Sequence, residues 1–148
     1  MNNIDIITDT ISIVEQSINF IDSLGSHEET ISDGVFKYSA SDSRVTHFLV
    51  FKDEQVVKEI SFYCENENFN LSNIKKQFGP GRSGYNFREN YTQFTFDLDA
   101  KKIDQLFFIK DNKFEFVREN KVIEKDPRGK SKEHKEILFS GFCLKLSS

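Results

Sequence analysis

The sequence predicts an α+β fold: a long N-terminal helix packed in a curved antiparallel meander sheet of about six to seven strands, with a second short helix. Residues 4–24 carry the one long helical pattern of the chain. From residue 35 onward, short apolar runs alternate with polar turns, as in strands that are joined into a meander. Residues 71–78 interrupt this series with apolar residues at helical spacing, which indicates the second helix.

The N-terminal pattern has apolar residues at alternating spacings of three and four, which places them on one face of a helix. These residues are Ile4, Ile7, Ile11, Val14, Ile18 and Ile21. Neighbouring apolar residues widen the face to about 200°, more than a helix on a flat surface needs, so we expect a trough-shaped sheet around it. Asn2 or Asn3 is the predicted N-cap, and Gly25 is predicted to end the helix in a left-handed conformation.

The remaining elements follow from alternation and from turn residues. The predicted strands cover residues 35–40, 45–52, 56–65, 91–98, 103–110, 113–118 and 137–146. Residues 26–29 have the form of a capping box and predict at most one helical turn. The highly charged stretch 124–136 predicts an exposed loop before the last strand.

The length and composition indicate a single domain over residues 1–148 with a phenylalanine-rich core. The 148 residues include 16 phenylalanines and no tryptophan. A shift of about 58 positions aligns the two groups of strands, so two α-β-β-β half-repeats, residues 1–65 and 66–148, are a second description of the same domain. The net charge of −4 argues against a general nucleic-acid binder and favours a basic protein partner.

Two cysteines and the hydropathy of the chain bear on its location. Cys64 and Cys143 both lie in strand-like apolar runs, where reduced core thiols of a cytoplasmic protein are expected. The N-terminus lacks the pattern of a secretory signal, and no apolar run approaches the roughly 18 residues of a membrane-spanning helix. We therefore expect a cytoplasmic protein that does not enter a membrane.

The sequence contains no motif that predicts catalysis, a cofactor or a metal site. His27, His47 and His134 are widely spread, without the spacing of metal ligands. Neither a nucleophile elbow nor a glycine-rich phosphate loop is present. We therefore expect a protein that is not an enzyme.

The most distinctive segment is GPGRSGYNFR, residues 79–88. Arg82 and Arg88 could bind a carboxylate or phosphate, and Tyr85 could pack at an interface, so all three are predicted partner-binding residues. The alternative is that the segment only connects a helix to a strand.

Four acidic residues complete the predicted partner-binding set. Glu65 and Glu67 follow one strand, and Asp97 and Asp99 end another. If they share one rim of the sheet, they would present negative charge to a basic partner. The alternative for Asp97 and Asp99 is an ordinary hairpin turn, and for the glutamates an ordinary solvated surface.

A small, acidic chain with an N-terminal helix, Phe-rich strands and abundant Lys, Asn and Ile resembles the immunity proteins that accompany bacterial polymorphic and contact-dependent toxins. The resemblance is one of type and extends over the whole chain. It implies a protein that binds one cognate toxin, often a nuclease with a basic active site, and blocks it. We expect this protein to be a monomer or weak dimer. The alternative is a small-molecule binder or enzyme similar to nuclear transport factor 2, with a Phe-lined pocket holding His47, Tyr38 or Glu59.

Overall fold

The computed structural model describes residues 4–111, 117–125 and 131–147. The elements of these ranges, in chain order, are α1 (Asp5–Gln16), α2 (Phe20–Leu24), β1 (Gly25–Ser32), β2 (Val35–Ala40), β3 (His47–Asp53), β4 (Val56–Tyr63), β5 (Phe69–Asn70), α3 (Leu71–Phe78), β6 (Arg82–Asn86), β7 (Tyr91–Asp97), β8 (Ile103–Asp111), β9 (Val117–Lys125), β10 (Ser131–Phe139) and β11 (Gly141–Leu146).

The strands form two antiparallel sheets. The large sheet has eight strands in the order β1-β2-β3-β4-β11-β8-β7-β6, and the small sheet has the order β5-β10-β9. The predicted α+β class is confirmed. The large sheet alone has eight strands, more than the six to seven strands that were predicted. Strand β11 occupies the centre of the large sheet, between β4 and β8.

One face of the large sheet, called here the inner face, carries the core. Alternation along β3, β4 and β11 places Phe48, Phe62 and Phe142 on this face, and all three are buried. Helix α1 packs there through Ile6, Ile7 and other apolar residues of the same cluster. The small sheet packs there too. Because aromatic rings bury large apolar areas, this face supplies most of the hydrophobic stabilisation.

The phenylalanine rings connect the elements of the core directly. Phe139 of the small sheet lies 4.8 Å from Phe108 of the large sheet, measured between ring centroids. Phe69, also of the small sheet, contacts Phe142 edge-on at 5.9 Å. Helix α3 adds Phe78, whose ring lies 6.5 Å from that of Phe96. The expected phenylalanine-rich core is therefore present.

The predicted single helix over residues 4–24 is wrong at residues 17–19. Helix α1 ends before Ser17, which has an extended conformation, and α2 begins at Phe20. The Ser17 carbonyl accepts a hydrogen bond from Lys102 Nζ at 2.9 Å instead of continuing the helix. Ile18, predicted to lie in the core, is 93% exposed. Serine and asparagine are weak helix formers, so this tertiary contact overrides the apolar periodicity.

Gly25 does not end a helix in a left-handed conformation, as the sequence suggested. Its φ of 173° is extended, and it begins β1. A Cβ at this position would lie 2.0 Å from the Ser39 carbonyl oxygen and 2.8 Å from the Phe48 ring. Glycine is therefore required by close packing. Residues 26–29 belong to β1 and pair with β2, so the predicted helical turn is also wrong.

Other boundaries follow the sequence closely. Strand β2 and helix α3 match the predicted residues, and Asn70 caps α3 by accepting a hydrogen bond from Ser72 N at 2.8 Å. Residues 131–136, predicted as loop, belong to β10. The predicted last strand, 137–146, is two strands in different sheets, which meet at Ser140. The N-cap position of α1 is Ile4, which makes no side-chain capping hydrogen bond, so the predicted cap at Asn2 or Asn3 is wrong. Asn2, Asn3 and the first residues of predicted strand 113–118 lie outside the described residues, and the half-repeat description stays a prediction.

Glu15 fastens α1 to the loop between β7 and β8. Its carboxylate accepts backbone N–H groups from Lys101 at 3.2 Å, Lys102 at 2.9 Å and Ile103 at 3.1 Å. Hydrogen bonds to a charged acceptor are stronger than those between neutral groups. The helix therefore has a fixed position against the start of β8.

Val14 and Ile18 belong to the same predicted helical face, but the structure buries Val14 and exposes Ile18. Substitutions at these two positions therefore test the break between α1 and α2. Val14→Asp should cost at least about 3 kcal/mol of unfolding free energy, because Val14 is fully buried and the charge would have no partner. Ile18→Asp should change stability by less than about 0.5 kcal/mol, since Ile18 is exposed. Chemical denaturation followed by circular dichroism measures both. Equal losses would contradict the break between α1 and α2.

Glu15→Ala should lower the unfolding free energy by about 1–3 kcal/mol, because three N–H groups lose their acceptor. Glu15→Gln retains one carbonyl oxygen and should lose less. Ser12→Ala, at an exposed position of the same helix, is the control. If Glu15→Ala were as stable as Ser12→Ala in urea unfolding, the carboxylate would not be fastening the loop.

Candidate partner-binding surface

The hairpin of β6 and β7 forms one edge of the large sheet. Its register is unbroken from the Arg82–Thr95 pair to the Asn86–Tyr91 pair, and residues 87–90 form the turn. Asn90 has a positive φ of 55°, which asparagine tolerates better than most residues. We call residues 82–97 the hairpin surface. It contains four of the seven predicted partner-binding residues.

An aromatic pair projects from the turn end of the hairpin surface. The rings of Tyr85 and Phe87 meet edge to face, with centroids 4.8 Å apart. Tyr85 is 49% exposed and Phe87 is 87% exposed. The Tyr85 hydroxyl donates a hydrogen bond to Asn90 Oδ1, and Asn86 Oδ1 accepts from Glu89 N at 3.0 Å. These bonds within the turn hold the pair in place.

Phe87 was missed by the sequence predictions, although it lies between two residues that they singled out. The signal was its position: it stands in a polar, glycine-containing segment outside the alternation that predicts core residues. Phe48, Phe62 and Phe142, by contrast, are fully buried. Arg88, predicted for partner binding, lies beside Phe87 in the turn and is exposed.

The structure brings Arg82 and Asp97 together. Arg82 Nη1 donates a hydrogen bond to Asp97 Oδ2, and Gln105 Nε2 donates to Asp97 Oδ1 at 3.3 Å. The hydrogen bond with Arg82 lowers the pKa of the Asp97 carboxyl, and the same bond raises the pKa of the Arg82 guanidinium. Both side chains are exposed, so solvent screens the pair. Asp97 therefore stays ionised, with the Arg82 cation as its neighbour.

The acidic residues do not form one rim. Glu65 and Glu67 follow the end of β4, which lies level with the start of β7. Asp97 and Asp99 lie where β7 finishes, at the opposite end of the sheet. The antiparallel order of the intervening strands causes this separation. The condition for a single negative rim, that these residues share one end of the sheet, is therefore not met.

A groove of about 460 Å³ lies beside the hairpin, mainly on the face opposite the core, called here the outer face. Its lining residues are Arg82, Ser83, Gly84, Tyr85, Asn86, Tyr91, Gln93 and Thr95. Gln93 Nε2 donates to Thr95 Oγ1 at 3.1 Å, and Asn86 Nδ2 donates to the Tyr91 hydroxyl at 3.4 Å. The groove offers amide and hydroxyl groups with one cation at its end.

The centre of the outer face carries several titratable groups. The rings of His47 and Tyr63 are stacked 4.5 Å apart, and burial lowers the pKa of His47 and raises that of Tyr63. Burial also raises the pKa of Glu59, an effect that Lys145 opposes. Although half-buried, these groups line neither the groove nor the second cavity described below.

The thiols are buried and unreactive in character. Cys64 and Cys143 are free cysteines, and burial raises the pKa of each to about 12. Ser61 Oγ lies 3.3 Å from Cys143 Sγ. Because the thiolate is the nucleophile, a thiol with so high a pKa is a poor one at neutral pH. Cys64 belongs to the hydrophobic core, as predicted, whereas Cys143 is buried on the outer face of the sheet.

A second cavity, of about 200 Å³, lies between α1, α2 and the inner face. Leu24, Val45, Phe48 and Phe62 give it an apolar floor. At its mouth, Arg44 binds Asp42 at 2.6 Å and Asp9 of α1 at 3.0 Å. The three residues that would mark a Phe-lined ligand pocket are elsewhere: Tyr38 stacks on Phe48, and His47 and Glu59 lie on the outer face.

Among residues 4–110 and 137–147, whose side chains the structure describes, no group of three or more His, Cys, Asp or Glu is placed to hold a metal ion. None of the helices among the described residues has the length and apolar character needed to cross a membrane.

Glu59→Gln should raise the midpoint of thermal unfolding at pH 7. Since burial raises the folded-state pKa of Glu59, the folded protein binds this proton more tightly than the unfolded chain, and ionisation at neutral pH lowers stability. The gain should shrink toward about pH 3.5, where the carboxyl is mostly protonated in both states. Thermal scans at both pH values measure this. The control, Glu54→Gln, changes an exposed residue; a pH-independent gain for Glu59→Gln would contradict the burial effect.

Comparison with known proteins gives no relative from which a function could be inferred: no family model matches the chain, and no curated protein or solved structure shows significant similarity to it.

Proposed function

We propose that this chain is a noncatalytic immunity protein that binds and neutralises a cognate bacterial toxin in the cytoplasm. The observation that carries the proposal is the exposed aromatic pair of Tyr85 and Phe87 on the hairpin surface. Tyrosine and phenylalanine are enriched in the buried centres of protein interfaces, where a few aromatic and arginine residues supply most of the binding energy.

The contrast with the rest of the chain strengthens this proposal. The fold buries the rings of Phe48, Phe62 and Phe142, while Phe87 is left almost fully exposed. Leaving a side chain of this size in water forgoes roughly 1.5–3 kcal/mol of hydrophobic stabilisation. A partner that covers Phe87 would recover this free energy on binding. Arg88, the next residue, provides directional contacts for carboxylate or carbonyl groups. Arg82 lies at the far end of the hairpin, where it is paired with Asp97.

The charge of the chain supports a basic partner. The net charge of −4 attracts a cationic protein over long range and accelerates association at low salt. A nuclease toxin, whose active site binds phosphate, is such a protein. The acidic residues are dispersed over both ends of the sheet, so attraction by the whole protein, and not by a single acidic rim, is the contribution that we propose.

A second candidate function is the binding of a small molecule in the cavity beneath α1 and α2. Its volume of about 200 Å³ and apolar floor favour a small apolar ligand. It is smaller than the roughly 300–1,000 Å³ of most ligand sites. We therefore rank this function second.

The proposal is tested with the product of the neighbouring gene as the candidate toxin. The wild-type protein should form a nanomolar complex with that toxin and rescue cells that express it. Phe87→Ser should raise the Kd at least tenfold, because it removes the exposed ring. Ile18→Ser is the matched control, since Ile18 is an equally exposed apolar residue away from the hairpin. Isothermal titration measures both variants.

Absence of both a complex and rescue with the wild-type protein would overturn the proposed function. Equal loss of affinity in Phe87→Ser and Ile18→Ser would retain the function but remove the hairpin surface as its site.

A further inference from the structure

The two edges of the large sheet differ in a way that bears on binding. Strand β1 is irregular: its pairing with β2 shifts register between His27 and Glu29 and again between Thr30 and Ser32. Such bulges and charged residues discourage another strand from pairing with an edge. Strand β6 pairs with β7 without any register shift, and no strand in the described ranges pairs with its other side. Its outward N–H and C=O groups are thus regularly spaced for hydrogen bonding to a further strand.

Gly84, at the middle of β6, has no evident role inside the fold. Its φ is not positive, and a Cβ built on it would meet no atom within 4 Å. Glycine in a strand interior reduces stability, so it commonly marks a bulge, a bend or the close approach of a ligand or another backbone. The unbroken register of β6 excludes a bulge here. The open space above Gly84 and its place in the lining of the groove favour close approach from outside.

We propose that an extended segment of the partner protein adds to β6 as a ninth strand of the large sheet, with an aromatic side chain lying over Gly84. This mode rests on the proposed function and specifies how the hairpin surface is recognised. Main-chain hydrogen bonds along the edge supply affinity, and the side chains of alternate residues supply specificity.

The two sides of the hairpin define the chemistry of that segment. On the outer face, an aromatic ring over the bare backbone of Gly84 reaches the amide of Gln93 and the guanidinium of Arg82, which stacks favourably on aromatic faces. On the other side, the next residue of the added strand lies against Tyr85 and Phe87 and should be apolar. The predicted recognition sequence therefore alternates an aromatic residue with aliphatic neighbours.

The test uses Gly84→Thr in the full-length protein. Threonine favours strands and has room at this position, so thermal unfolding should occur at the same temperature or higher. The threonine side chain occupies the groove floor, so the Kd for the cognate toxin should rise at least tenfold. Ser26→Thr, on the opposite edge strand β1, is the control and should bind as the wild type does. Undiminished binding by Gly84→Thr overturns strand addition while leaving the proposed function intact.

A second measurement is independent of the toxin. A phage library of random 12-residue peptides is selected on the wild-type protein, and enriched peptides are mapped by amide chemical shifts. We expect peptides that carry an aromatic residue between aliphatic ones, protect the amides of β6 and lose binding to Gly84→Thr. Peptides that map elsewhere overturn the inference. Concentration-dependent dimers of the wild type that Gly84→Thr abolishes would do so as well, since the occupant would then be a second copy of the chain.

Discussion

The change of direction at Ser140 is the constraint on which the rest of the structure depends. Phe139 ends β10 in the small sheet, and Phe142 lies in β11 of the large sheet. The chain therefore passes from one sheet to the other within a few residues. Their rings contact Phe108 and Phe62 respectively, which joins the two sheets into one core. The Ser140 carbonyl accepts a hydrogen bond from Cys64 N at 2.7 Å, and this bond fixes the position of the corner.

Because the inner face is filled with aromatic rings, the parts of the molecule open to a partner are the outer face and the sheet edges. The hairpin of β6 and β7 combines features that packing alone does not require: an exposed Phe87, a glycine with space around it, and a groove of polar groups. The exposed phenylalanine and the strand glycine each have a small cost in stability. Their occurrence on one hairpin is what distinguishes this edge from β1.

Sequence patterns correctly predicted the helices and strands in which buried and exposed residues alternate regularly. They failed where a contact between residues distant in sequence determines the local conformation. Helix α3 and strand β2 were correct because cap, turn and alternation agree locally. The break at Ile18 depends on Lys102, which is distant in sequence, and the corner at Ser140 interrupts a run that is apolar throughout. For the candidate site, glycine content directed attention to Arg82 and Tyr85. The pairing of Arg82 with Asp97 required the strand register, and the exposure of Phe87 required the position of the turn.

The central position of β11 also determines the order in which the sheet can be assembled. Strands β1 to β4 form one antiparallel group and β6 to β8 another, and the two groups meet only through β11, which pairs Gly141 with Tyr63 and Cys143 with Phe107. During synthesis, each group can pair its own strands, but their facing edges stay open until residues 141–146 leave the ribosome. Long-range closure of this kind slows folding and prolongs the exposure of strand edges. The apolar large sheet is therefore protected from aggregation only after β11 has paired with both β4 and β8.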